Sequence, residues 1–287
     1  MGQEQARGVG SEAGLEVSRL LGEAGYQRLR RVLRSQEGYD LDAYRGTYLA
    51  RRLRARLSAL HMDPRAYASF VERDNGERRL LIETLGVNVS SFFRDPAVWS
   101  FLLDDALPPL LEARAASGDL FRAASLGCAG GQEPYSLAMT LNEAAQGLDV
   151  DWQVEGFDMD PGALEMAEEA LYPAAALAEV SRAALDRYFT QLDEECFEVI
   201  PSLRARVRFR KHDILTEPLP ARYDLIACRN VMIYVDGPAK ERLLDKIHGS
   251  LQEDGILVIG QSEVLPPRLA QRFVPLDLRH RIYRNGG

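Results

Sequence analysis

The sequence predicts an α/β chain: a doubly wound, mostly parallel sheet with a small inserted β-hairpin subdomain, preceded by a small all-helical domain. Two patterns predict it. Up to about residue 85 the apolar residues recur at helical spacing, as in Leu49, Leu53, Leu57 and Leu60, with few strand-like runs between them. From about Phe92 onward, helical stretches alternate with short apolar runs, and repeated β-α-β units imply a parallel sheet covered by helices.

Taken in order, residues 1–13 read as a flexible N-terminus and 14–87 as the helical domain, leaving 88–287 as the α/β domain. Within the last, the pattern runs helix 98–115, strand Phe121–Leu126, helix 134–145, strand 152–157 and helix 161–170. It resumes with strand Tyr223–Cys228, helix 237–251, strand 255–259 and a short final strand at 281–283. One stretch breaks the rhythm: 196–200 and 206–210, separated by Pro201 to Ala205, read as a hairpin inserted at about 186–210.

Composition narrows the function classes. With 46% hydrophobic residues over 287 positions the chain can bury a substantial core, and no apolar run approaches the roughly 20 residues a membrane helix needs. A cytoplasmic protein without direct membrane insertion is expected. Cys128, Cys196 and Cys228 are an odd number, far apart and without a Cys-x-x-Cys pair, so they read as reduced thiols. His61, His212, His248 and His280 lack metal-ligand spacing, and no metal is expected. The net charge of −8 conceals a basic stretch, Tyr26 to Arg56, with nine arginines against three acids.

Three runs carry chemistry. Ser125-Leu126-Gly127-Cys128-Ala129-Gly130-Gly131-Gln132-Glu133-Pro134-Tyr135-Ser136 follows the first strand and opens a helix, so its glycines sit where open α/β sheets bind small molecules. Neither the dinucleotide fingerprint nor the phosphate-loop Gly-Lys-Ser/Thr is present. Asp158, at the end of the second strand, can accept both hydroxyls of a ribose, whereas Asp160 reads as the cap of the next helix. The third run, Tyr223 to Tyr234, is an apolar strand ending abruptly in Arg229 and Asn230.

Cys228-Arg229-Asn230-Val231-Met232-Ile233-Tyr234, with Asn88-Val89-Ser90-Ser91-Phe92-Phe93-Arg94, Gly131-Gln132-Glu133-Pro134-Tyr135-Ser136, Ile259-Gly260-Gln261-Ser262-Glu263 and Tyr48-Leu49-Ala50-Arg51-Arg52-Leu53, resembles the CheR family of chemoreceptor glutamate methyltransferases. The resemblance spans nearly the whole chain. It implies a Rossmann-like class I methyltransferase sheet, S-adenosyl-L-methionine as cofactor and S-adenosyl-L-homocysteine as product. It places Asn88, Ser90 and Arg94 near the methionine end of the cofactor, with Glu133 and Asp158 on its charged and ribose groups. The Gly127 turn then lies beneath it, Asp213 and Ile214 beside the adenine, Arg229 and Asn230 closing the site, and Tyr234 near the transferable methyl. Ser90, Gln132 and Asp213 depart from the family's usual Thr, Glu and Asn. Ser90 keeps the hydroxyl, and Asp213 can still accept a bond from an amino group.

A glutamate carboxylate, with a pKa of about 4.3, is already an ionised nucleophile at neutral pH, so the reaction needs alignment rather than a general base. Arg94 is the candidate clamp, since a guanidinium can hold a carboxylate by two charge-assisted bonds in a partly dry pocket beside Phe92 and Phe93. Tyr234 can bond the same carboxylate. The basic residues Arg45, Arg51, Arg52, Arg54 and Arg56 are candidates for docking the acidic methylation helices of chemotaxis receptors, and the inserted hairpin for holding a receptor tail. A nucleic-acid methyltransferase is disfavoured by the acidic net charge, and a cofactor-binding adaptor without activity by intact Arg94 and Tyr234. A monomer is expected.

Overall fold

The computed structural model describes residues 12–86 and 90–286. The expectations for residues 1–11 and for Asn88 lie outside the described residues. Contacts divide the chain into two units, Met1–Val87 with Met232–Arg242, and Asn88–Val231 with Leu243–Gly287. The segment Met232–Arg242, which the sequence assigns to the α/β domain, thus packs with the helices.

The first unit contains α1 (Glu12–Leu21), α2 (Glu23–Glu37), α3 (Gly46–Leu60), α4 (Pro64–Arg73) and α5 (Asn75–Leu85). Local chemistry sets their ends. Asp63 caps α4 by accepting from the Arg65 N–H with Pro64 in the first turn, and Asp74 caps α5 by accepting from the Glu77 N–H. Leu49, Leu53 and Leu57, spaced one turn apart on α3, are buried with Tyr26, Leu29, Leu33, Tyr67 and Val71. The end of the third sequence run and the residues that follow it are stitched to this unit by main-chain bonds: Arg45 N–H to Tyr234 O at 2.9 Å and Asp236 N–H to Ala43 O at 2.9 Å, flanking a Tyr44–Val235 bridge.

The second unit opens with α6 (Pro96–Phe101), one π turn (Leu102–Ala106) and α7 (Leu107–Ser117), so the single helix expected over 98–115 is interrupted before Pro108 and Pro109, which cannot donate main-chain bonds. The strands β1 (Phe121–Leu126), β2 (Trp152–Asp158), β6 (Val207–Lys211), β7 (Tyr223–Cys228) and β8 (Leu251–Ile259) are parallel neighbours. With β9 (Phe273–Asp277) and β10 (Ile282–Asn285), which join antiparallel at the edge, they form a seven-stranded sheet in the order β6-β2-β1-β7-β8-β10-β9. Between them run α8 (Gln132–Ala144), α9 (Pro161–Glu169) and α12 (Gly237–Ser250), whose residues up to Arg242 belong to the first unit. The order reverses beside β1, so the carboxyl ends of β1 and β7 flank the topological switch point where doubly wound sheets place ligands.

The expected hairpin does not form. The strand at 206–210 is β6, paired in parallel with β2 in the main sheet, and the short helix α11 (Pro201–Arg204) separates it from β5 (Cys196–Val199). The insert is instead a three-stranded antiparallel sheet, β3 (Leu171–Pro173), β5 and β4 (Phe189–Gln191) in that spatial order, with the helix α10 (Arg182–Tyr188) between β3 and β4. Three-residue strands carry too little alternation to be read from sequence. The insert shares the core of the second unit through Tyr172 and Phe189, both packed edge-on against Phe92.

Candidate active site

The turn after β1 is built by two glycines with left-handed backbone. At Gly127 (φ 73°) a Cβ would stand 2.5 Å from a Val231 methyl, and at Gly131 (φ 88°) 2.8 Å from Ala167 Cβ, so neither position accepts a side chain. The Gly127 and Cys128 N–H groups donate to Phe157 O at 2.8 and 3.0 Å, continuing the β1–β2 ladder past its last pair. Tyr172 of the insert donates its hydroxyl to Gly130 O at 2.7 Å. The turn therefore enters α8 as a fixed cradle with the N–H-rich end of a helix behind it.

Around this turn lie the charged groups. Asp158, at the end of β2, accepts from the Ala129 N–H at 2.8 Å on one oxygen and from the Asp160 N–H at 3.0 Å on the other, and burial still raises its pKa. Asp160 caps α9, accepting from the Gly162 and Ala163 N–H groups. Glu133, in the first turn of α8, accepts from the Ser125 hydroxyl at 2.8 Å and faces the Arg229 guanidinium at 3.4 Å. Burial pushes its pKa up against the opposing pull of Arg229. The Arg229 side chain is only 2% exposed and bonds Asp95 at 2.7 Å and Arg94 O at 2.8 Å, with its guanidinium 5.4 Å from the centre of the Trp99 ring. Asn230 has φ 60°, and its N–H donates to Glu263, which also takes the Gly260 N–H at 2.6 Å. Asp95, Trp99, Tyr172 and Glu263 are supports that sequence reasoning left unassigned. Asp95 directly follows the Asn88–Arg94 motif and Glu263 is the last residue of the Ile259–Glu263 motif, so both were within reach, whereas Trp99 and Tyr172 carry no local signal.

Several expected residues behave differently. Arg94 is exposed, so the expected partly dry pocket does not surround its guanidinium; its main-chain oxygen instead anchors the Trp99 indole N–H at 2.9 Å and Arg229. Ser90 is half-buried. Asp213 turns both carboxylate oxygens onto its own loop, accepting from the Leu215 N–H and the Thr216 hydroxyl, and Ile214 beside it is buried. Burial raises the Cys128 and Cys228 thiols well above their ordinary range, so neither is a thiolate nucleophile.

The first unit carries Tyr234 and the basic helix. Arg51 and Arg54 on α3 and Arg45 at its N-cap are exposed, while Arg52 is half-buried. Arg56 grips Glu77 with two nitrogens, and Tyr67 donates to the same carboxylate at 2.7 Å, which takes Arg56 out of the free basic face.

The second unit's donors fit an adenosylated amino acid. Two mostly buried carboxylates with raised pKa values suit ammonium and hydroxyl donors, and the Arg229 Nε and Gln132 Oε1, both buried, have no hydrogen-bond partner among the described residues. These features define a cofactor-dependent class I methyltransferase. The family is then fixed by direct matches: residues 88–282 match the CheR methyltransferase SAM-binding domain and 24–85 the CheR all-alpha domain. The chain belongs to the CheR methyltransferase family and is an S-adenosylmethionine-dependent methyltransferase.

Relatives agree. A chemotaxis protein methyltransferase of Listeria monocytogenes is 31% identical over 84% of this chain and 90% of its own length. Another, of Borreliella burgdorferi, is 34% identical over 69% of this chain and 73% of its own. An uncharacterized 104.1 kDa protein of Rhodobacter capsulatus is 30% identical over 96% of this chain, which spans 28% of that longer protein.

Proposed function

We propose that the protein transfers the methyl group of S-adenosyl-L-methionine to glutamate side-chain carboxylates on the methylation helices of chemotaxis receptors in the cytoplasm, giving glutamate methyl esters and S-adenosyl-L-homocysteine. The observation that carries the reading is the constellation at the switch point, with the Gly127 turn, Glu133, Asp158 and Arg229 held together in one unit, in a chain whose relatives include chemotaxis protein methyltransferases. When bound, the cofactor supplies an electrophilic methyl on a sulfonium. Asp158 would hold its ribose hydroxyls, Glu133 its ammonium group, and the Arg229 Nε its carboxylate, with the segment at Asp213 and Ile214 beside the adenine. Asn88 and Ser90 are assigned by family resemblance.

The residues of the protein have to orient a nucleophile, not deprotonate it. Arg94, exposed and therefore accessible, is proposed to clamp the substrate carboxylate, and Tyr234, five positions after Arg229 in the chain, to bond the same group. Arg45, Arg51, Arg52 and Arg54 are proposed to receive the acidic receptor helix. The edge strands β3 and β4 of the insert offer main-chain groups that an extended receptor tail could pair with. The protein is proposed to act as a monomer.

The test is incubation with tritiated S-adenosylmethionine and chemoreceptor-rich membranes. Label released as methanol by alkali identifies a carboxyl ester; label stable to alkali overturns the reading. In calorimetry, Asp158→Ala should weaken cofactor affinity at least tenfold, about 1.4 kcal/mol. Unchanged affinity removes Asp158 from the site.

A further inference from the structure

Tyr48 lies on α3 between Arg45 and the pair Arg51 and Arg52 of the basic face, is 7% exposed, and donates its hydroxyl to Leu85 O at the end of α5 at 2.5 Å. Its ring meets the Tyr234 ring with centroids 4.6 Å apart and planes tilted by 38°. The guanidinium carbons of Arg51 and Arg52 stand 5.9 and 5.6 Å from the centre of the same Tyr48 ring. Around Tyr234 the main chain is pinned by the bonds to Ala43 and Arg45 and by the Tyr44–Val235 bridge. What the pinned backbone leaves free is the direction of the Tyr234 side chain, and the Tyr48 ring restricts it.

We propose that Tyr48 is a positioning residue for Tyr234, whose ring holds the Tyr234 phenol in one orientation and ties that orientation to the arginines of the docking helix. The inference rests on the reading of Tyr234 as a group that bonds the substrate carboxylate. Tyr48 itself touches no substrate. Its anchor is the bond to Leu85 O, and burial raises its own pKa so that it stays a neutral donor there. The ring works by shape: a reacting pair held loosely by about 1 Å can lose as much as a hundredfold in rate without any loss of binding.

The prediction is a split between turnover and binding. With receptor membranes and saturating cofactor, Tyr48→Leu should lower kcat about tenfold or more, while the KM for receptor and the cofactor affinity stay within about twofold of the parent. Tyr48→Phe, which keeps the ring and loses only the hydroxyl with its bonds to Leu85 O and Arg52, should recover most of that turnover. Tyr234→Ala is run beside them, with the Tyr48→Leu/Tyr234→Ala double variant, which should be no slower than Tyr234→Ala alone because both changes remove one arrangement. Thermal melts verify folding, and Tyr48→Met, closer to Tyr in length, substitutes for the Leu variant should that one fail to fold. Parental turnover in the ringless variant, or losses that multiply in the double variant, overturns the positioning role while leaving Tyr234 in place. Parental turnover in Tyr234→Ala instead overturns the reading of Tyr234 itself, and the inference falls with it.

Discussion

At the scale of single residues, Arg94 and Arg229 exchange the characters their motifs suggest. Arg94, expected in a partly dry pocket, is exposed, while Arg229 is buried between Asp95 and Glu133 with Trp99 beside it. Removing one partner of a buried ion pair leaves an uncompensated charge, commonly worth about 3–5 kcal/mol. Arg229→Met should therefore destabilise the second unit by about that amount, read by urea unfolding with Trp99 and Trp152 fluorescence as the probe. A loss below about 1 kcal/mol would show that Glu133 takes up a proton instead, as the upward push of burial on its pKa allows. Arg94→Lys keeps the charge and loses the two-point fork, so single-turnover methylation at saturating cofactor should fall about a hundredfold, roughly 2.7 kcal/mol of barrier, with stability unchanged. Near-parental turnover in the Lys variant would reduce Arg94 to a charge. The motif around Arg94 was legible as a site, but its exposure was not, because exposure follows from Phe93 and Asp95 at positive φ and from the packing of α6, none of which is encoded in a seven-residue window.

At the scale of elements, periodicity made the long helices and the buried parallel strands legible, since Leu49, Leu53 and Leu57 repeat at helical spacing and 225–228 is a continuous apolar run. The insert was misread because 196–199 and 207–211 are adjacent strands in sequence that belong to different sheets, a distinction made by long-range pairing with Leu171–Pro173 and with β2. The basic helix shows the same limit. Its arginines are countable in the sequence, yet only the fold shows that Arg56 is committed to Glu77 and Tyr67. The two kinds of arginine should separate in experiment. Reversing charge at Arg51 and Arg54 together should weaken receptor methylation at low salt, an effect that shrinks as salt rises because exposed charges are screened beyond about 8 Å at physiological ionic strength, with cofactor affinity and stability intact. Arg56→Ala should instead lower the melting temperature, since it leaves the Glu77 carboxylate buried without its cation. Parental methylation by the charge-reversed double variant at low salt would mark that face as solvated surface only.

At the scale of the whole molecule, the family motif Arg229 to Tyr234 is divided between two units: Arg229 and Asn230 stay with the sheet, while Met232–Arg242 packs with the helices. The assigned cofactor-site residues among the described ones, from Ser90 and Arg94 through Gly127, Glu133, Asp158 and Asp213 with Ile214 to Arg229 and Asn230, belong to the second unit, and Tyr234 with the basic helix belongs to the first. A functional division should follow. A fragment comprising residues 88–287 should bind S-adenosyl-L-homocysteine within about tenfold of the full chain, about 1.4 kcal/mol, because each of these residues is retained with its supports Asp95, Ser125 and Trp99. It should nevertheless fail to methylate receptor membranes, since Ala43, Arg45, Tyr48 and the docking arginines are gone and 232–242 loses the partners that hold it. Hydrogen exchange provides the structural control. The Asp236 amide, bonded to Ala43 O in the full chain, should exchange freely in the fragment, whereas the amides of β7, paired on both sides within the second unit, should stay protected. A fragment that keeps β7 protected but no longer binds S-adenosyl-L-homocysteine would show that the second unit alone does not carry cofactor binding, and the division of labour drawn from the two units would be wrong.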